Sequence, residues 1–192
     1  MPKIFLCYRR EDSAYPAHQI YRDLGDHFGF ESVIFDVDTI PIGTDFREYL
    51  NNQVGECDIL LAIIGDQWIE ILKQRLSDPK DFVRIEIQAA LERDIPVVPV
   101  LVGKALMPSE ENLPPELAGL SYRNATEVRA GPDLQTHVKR LIEGLDRLLA
   151  GSNVRDYRKR QEAQSKPKEK SKARRESSCP TERSPPAELL RA

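Results

Sequence analysis

Cysteine is scarce in this chain. Only Cys7, Cys57 and Cys179 occur, an odd number with no CxxC pair. That spacing excludes a zinc ribbon and a closed disulfide framework. Cys7 and Cys57 lie in apolar runs and read as small core residues, a usage that suits a reducing cytosol. Histidine is equally sparse. His18, His27 and His137 fall on separate helical patterns, there is no HExxH, and no metal site is expected. The phosphate-cradling patterns GxxxxGK[ST] and GxGxxG are absent. Ser13 and Ser32 stand outside any nucleophile-elbow pattern. No apolar run is long enough to cross a membrane. The opening MPKIFLCYRR lacks the apolar stretch of a signal peptide, so a cytoplasmic protein is expected.

The net charge of −3 conceals an asymmetry. From Ser152 onward there are twelve Lys/Arg against six Asp/Glu, which leaves sixteen against twenty-five in the body. An acidic body argues against a nucleic-acid-binding domain. The basic segment is rich in Lys, Arg, Glu and Ser and carries four prolines. It reads as a solvated tail over 151–192, helical only in its first turns, behind a domain at 1–150.

Within that domain short apolar runs alternate with helical patterns. Ile4–Tyr8 is the first run, followed by Ala17, Ile20, Tyr21, Leu24 and Phe28 at helical spacing. Val33–Phe35 is the second. A loop from Asp36 to Gly43 and a helix marked by Phe46, Tyr49, Leu50 and Val54 follow it. Ile59–Ile64 is apolar on both faces, as a central parallel strand should be. A short helix is expected over Gln67–Leu76. Asp81 is the expected N-cap of a helix through Arg93, and Pro96–Val102 reads as a fourth strand. A weak edge strand is expected at Leu120–Arg123. Leu134, Val138, Leu141, Ile142, Leu145, Leu148 and Leu149 mark a last amphipathic helix.

Such alternation implies an α/β fold, a flavodoxin-like five-stranded parallel sheet of order 2-1-3-4-5 with helices on both faces. Ligands in these folds bind at the carboxyl ends of the strands where the order reverses. Tyr8-Arg9-Arg10 is expected there, with a phenol and two guanidiniums suited to phosphate. An ordinary solvated turn explains the same residues equally well. Glu86 falls at the border of the buried stripe formed by Val83, Ile87, Ala90 and Leu91, and Phe82 lies one turn before it. Ile85 and Ala89 fall on the outward side of that helix as an apolar patch. A phosphoacceptor receiver remains open on this fold, with Asp36, Asp38, Asp66 and Lys104 as its candidate residues.

These residues resemble a known family. Ile4-Phe5-Leu6-Cys7-Tyr8-Arg9-Arg10-Glu11-Asp12-Ser13 is similar to the opening box of Toll/interleukin-1 receptor (TIR) domains, in a form frequent among bacterial ones. Phe35-Asp36-Val37-Asp38 with Ile42-Gly43 resembles the second strand's end and the BB loop. Asp81–Ile87 resembles the segment that carries the catalytic glutamate of NAD-cleaving members, and Pro96–Val100 the strand after it. The resemblance covers residues 3 to about 149. It implies cleavage of NAD at the nicotinamide–ribose bond by a glycohydrolase or cyclase acting in signalling or defence, with NAD as substrate and no cofactor. It implies Glu86 as the catalytic residue, and Tyr8, Arg9, Arg10, Gly43, Phe46, Trp68 and Phe82 around the dinucleotide. Trp68 either covers the site or packs in the core. Pro41 stands where some active relatives carry an acidic residue. The resemblance also implies self-assembly through residues 36–46. Its alternative is a non-enzymatic scaffold that signals by TIR–TIR association.

Overall fold

The computed structural model describes residues 1–35, 52 and 54–165, with side chains up to residue 151. In chain order these form β1 (Ile4–Cys7), α1 (Arg10–Phe28), β2 (Val33–Ile34), β3 (Ile59–Ile64), α2 (Trp68–Gln74), α3 (Phe82–Glu92), β4 (Val97–Leu101), β5 (Thr126–Glu127) and α4 (Leu134–Ser165). The expected helix around Phe46–Val54 and the loop at 36–43 lie almost wholly outside the described residues. Met1–Arg155 is one compact unit. Among the described residues no helix is long and apolar enough to cross a membrane.

The five strands are parallel and lie in the order β2-β1-β3-β4-β5. Side chains alternate across a strand, so each strand feeds two layers. Phe5, Cys7, Leu60, Ala62 and Ile64 join Trp68, Leu72, Ile87, Ala89 and Ala90 on one side. Ile4, Leu6, Ile59, Leu61 and Ile63 join Ala17, Ile20, Leu24, Val138, Leu141 and Leu145 on the other. Helices α2 and α3 thus cover one face, and α1 and α4 the opposite face. All six residues of β3 are buried, as its unbroken apolar run requires.

The edge strand departs from expectation. Leu120–Arg123 is not a strand. Pro114 and Pro115 start a short 3-10 helix over Pro115–Leu120, which buries Leu117 and Leu120 three residues apart. The chain then turns, with the Arg123 amide donating to the Leu120 carbonyl at 3.0 Å, and β5 begins only at Thr126. Helix α1 also starts earlier than its apolar pattern, at Arg10. It breaks at Ser13 (φ −135°, ψ 21°), and Pro16 follows in the first turn after the break, where a missing N–H costs little. Ala89 is buried rather than outward, which removes half of the apolar patch expected with Ile85.

Two thiols are sealed in this core. Burial, reinforced by the Asp58 charge, pushes the Cys57 thiol up to about 12. The unfolded thiol titrates near about 8.5. Between those values the unfolded chain gives up a proton that the folded chain keeps. The contribution to stability is therefore full below about 8.5 and is lost as pH rises toward about 12. Urea midpoints at about pH 7 and about pH 10 should show a fall that is smaller in Cys57→Ala. An equal fall in both proteins would mean that Cys57 is not the group responsible.

Candidate functional site

The carboxyl ends of β1 and β3 are tied together by short backbone-directed bonds. The Asp12 carboxylate, in the first turn of α1, accepts from the Gly65 amide at 2.9 Å and the Gln67 amide at 2.8 Å. Gly65 ends β3 directly against that carboxylate, and a Cβ there would overlap it. Glu11 beside it pairs with Arg75 at 2.6 Å, after α2. One strand further, the Asp66 carboxylate accepts from the Lys104 amide at 2.6 Å. Asp66, the residue a receiver would phosphorylate, thus serves as a loop tie. Sequence reasoning overlooked Asp12. The available signal was an acidic residue opening a helix in a fold where a glycine ends the neighbouring strand. Gly65→Ala is expected to cost about 1–3 kcal/mol, because the two bonds to Asp12 cannot survive the displacement. Urea denaturation would measure it, and an unchanged midpoint would contradict this packing.

Arg9 corrects the sequence reading. It does not stand at the mouth of the crevice. Its side chain is completely buried, and its two terminal nitrogens meet the two Asp81 oxygens at 2.9 and 2.8 Å. Its guanidinium lies 5.5 Å from the centre of the Trp68 ring. Trp68 is itself buried, so it packs in the core instead of covering a site. Asp81 holds the N-cap position of α3, yet its side chain makes no cap bond. The carboxylate is committed to Arg9. This fork-to-fork pair fixes the start of α3 to the end of β1 and to the residue that opens α2.

Fixing that end of α3 sets the position of Glu86. Glu86 is only 4 % exposed, where the sequence placed it on a rim. Ala89, Glu86, Ala90 and Ile87 are the buried residues of α3. At 3.6 residues per turn they span an arc of about 160°, and Glu86 lies inside it. Cys7, the last residue of β1, donates from Sγ to the Val83 carbonyl, 3.6 Å away in the first turn of the same helix. Burial pushes the Cys7 thiol well above its ordinary range, and the charge of Glu86 pushes it further. A carboxylate is therefore held in a low-dielectric setting at the carboxyl edge of the central strands.

The remaining candidates surround this edge unequally. Tyr8 is half-buried and stacks flat on Phe35, with ring centres 5.1 Å apart and planes 3° from parallel. Phe35 packs in turn on Tyr21 and on the edge of His18, each at 4.6 Å. Arg10 is exposed at the first residue of α1, and Phe82 is half-buried at the first residue of α3. Gly43, Phe46 and Pro41 lie outside the described residues. Besides the Arg9–Asp81 pair, the arrangement offers the buried Glu86 carboxylate, an exposed guanidinium and aromatic surface. That set can bind a cationic or phosphorylated ligand and stabilise positive charge.

A family model described as "TIR domain" matches residues 4–142. No curated protein matches the chain. Among solved structures, the chain is similar to one described as "Structure of the activated Roq1 resistosome directly recognizing the pathogen effector XopQ (TIR domains)". The TM-score is 0.57 at 11% identity, over 76% of this chain and 99% of that one. That likeness shows the fold.

Proposed function

The chain belongs to the TIR-domain family, and from that premise we propose that it cleaves NAD at the nicotinamide–ribose bond, with Glu86 as the catalytic carboxylate. The observation that carries this reading is the burial of Glu86 at the sheet edge where such folds bind ligands. A carboxylate is expensive to bury, and one retained inside a helix's packed arc needs a use.

The chemistry asks little more. Glycosidases that break a sugar–oxygen bond need an acid to protonate the leaving group. Nicotinamide in NAD is a cationic pyridinium and leaves as a neutral ring, so no acid is required. The site has to hold the ribose and stabilise an oxocarbenium-like transition state. A fixed carboxylate in a water-poor setting does both, through hydrogen bonds to ribose hydroxyls and through opposite charge. Water then attacks to give ADP-ribose, or the adenine ring attacks to give a cyclic product. Phosphate contact falls to Arg10, because both terminal nitrogens of Arg9 are engaged by Asp81. Tyr8 and Phe82 provide aromatic surface beside it.

We assign the reaction to signalling or defence and expect it to need TIR–TIR assembly. The similar solved structure is described as an activated resistosome with its TIR domains, and that assembly supports the expectation. The test is incubation of the purified chain with NAD over a range of protein concentrations, with chromatography of nicotinamide and the nucleotide product. Specific activity should rise with concentration. A constant value in a strictly monomeric sample would contradict the need for assembly. No nicotinamide from an assembled sample would favour the non-enzymatic scaffold.

A further inference from the structure

Phe35 follows β2 directly, and three rings meet it. Tyr8 stacks on it at 5.1 Å with the planes 3° from parallel, and Tyr21 stacks on it at 4.6 Å and 20°. His18 meets it edge-on at 4.6 Å. Tyr21 is braced in turn by Phe30, edge-on at 5.4 Å, whose ring occupies the space that a Cβ on Gly25 would fill. Alternation along β1 decides the side on which this stack lies. Cys7 joins the layer of α2 and α3, whereas Leu6 joins the layer of α1 and α4, against which Tyr8, Tyr21 and Phe35 pack. Glu86 is a buried residue of α3, whose start is held at the end of β1 by the Arg9–Asp81 pair. The stack and the carboxylate therefore occupy opposite faces of the sheet at one carboxyl edge. A ligand that meets both has to reach over that edge, and a dinucleotide, with a ring at each end, has the form to do so.

We infer that Phe35 is a positioning residue that holds the Tyr8 ring as a face for the adenine base of the dinucleotide, while the nicotinamide end lies at Glu86. The inference rests on the proposed NAD reading. Tyr8 is half-buried, so part of its ring is open at the edge. Stacking on Phe35 fixes the tilt of that ring, and Tyr21 and His18 keep Phe35 itself from turning. A ring ordered beforehand loses little freedom when a flat base settles on it. Such stacking acts on ground state and transition state alike, far from the bond that breaks. Its loss is therefore read in KM, and it favours a dinucleotide over a ligand that lacks the second base.

Two measurements on the full chain test this. The first needs no activity. The NMR signals of the Tyr8 ring protons, identified by their loss in Tyr8→Leu, should move upfield when adenosine monophosphate is added to wild type, and much less in Phe35→Leu. No movement in wild type, or equal movement in both, would overturn the inference. The second uses NAD turnover. Phe35→Leu should raise KM about tenfold with kcat changed less than about threefold. Adenosine monophosphate should inhibit that variant about tenfold less well, with inhibition by nicotinamide unchanged. Phe35→Tyr keeps the ring and should stay within about threefold of wild type in KM. Equal weakening of both inhibitors, or tyrosine behaving like leucine, would mean that Phe35 only supports the fold, and the inference would fall. If wild type releases no nicotinamide, the NAD reading fails and the titration alone decides whether Phe35 holds Tyr8 for a base.

Discussion

Asp81→Ala is expected to destabilise the fold by about 3–5 kcal/mol, a large fraction of a domain's total. Arg9 and Asp81 have side chains 0% and 1% exposed. Removing the carboxylate leaves a guanidinium buried without its counter-charge, and the loss of that partner costs more than the pair contributes. Arg9 already carries one burden, since its Nε has no hydrogen-bond partner among the described residues. Replacing both residues should behave differently. Arg9→Met with Asp81→Leu removes the charges together and is expected to recover most of the loss. A double-mutant cycle by urea denaturation would separate the coupling from the single costs. A loss below about 1 kcal/mol for Asp81→Ala would show that the pair is solvated.

The second large effect is catalytic. Glu86→Gln keeps the shape of the side chain and removes its charge. The rate of nicotinamide release should fall at least about 10²–10³-fold, the cost of losing a preorganised electrostatic contact in a transition state. The loss should fall on kcat more than on KM, because positive charge on the ribose develops mainly as the bond breaks. Circular dichroism should be unchanged. A variant with wild-type kcat would remove Glu86 from the reaction.

The two effects are linked through α3. The Arg9–Asp81 pair anchors the helix start, and Glu86 lies five residues along. Asp81 variants that still fold should therefore lose turnover without contacting the substrate.

The sheet was legible because its signals are local and redundant. Ile59–Ile64 is apolar at every position, and each of the first three runs is followed by a helical pattern, so a parallel sheet follows; right-handed crossovers restrict its topology, and the spacing fits the order 2-1-3-4-5. The site was legible only where residue type decided the matter. Tyr8, Arg10, Phe82 and Glu86 were singled out by the motif, but their exposure was not. Arg9 and Arg10 are indistinguishable in sequence. Only the fold brings Asp81, 72 residues away, onto the first of them. Glu86 was placed on a rim because Val83 and Leu91 weighted the helical stripe. In the structure those two are half-buried, while the small Ala89, which carries little hydrophobic signal, is buried. A weak edge strand was expected at Leu120–Arg123, where Pro114 and Pro115 instead set a 3-10 turn that ends at Leu120.

The most direct test of Glu86-dependent NAD cleavage is one chromatogram series. Wild type and Glu86→Gln are incubated with NAD at matched, high protein concentration, and nicotinamide is followed over time. Steady release is expected from wild type, matched mole for mole by ADP-ribose or its cyclic form, with release near background from the variant. Equal release by the two proteins, or none by an assembled wild type, would contradict it.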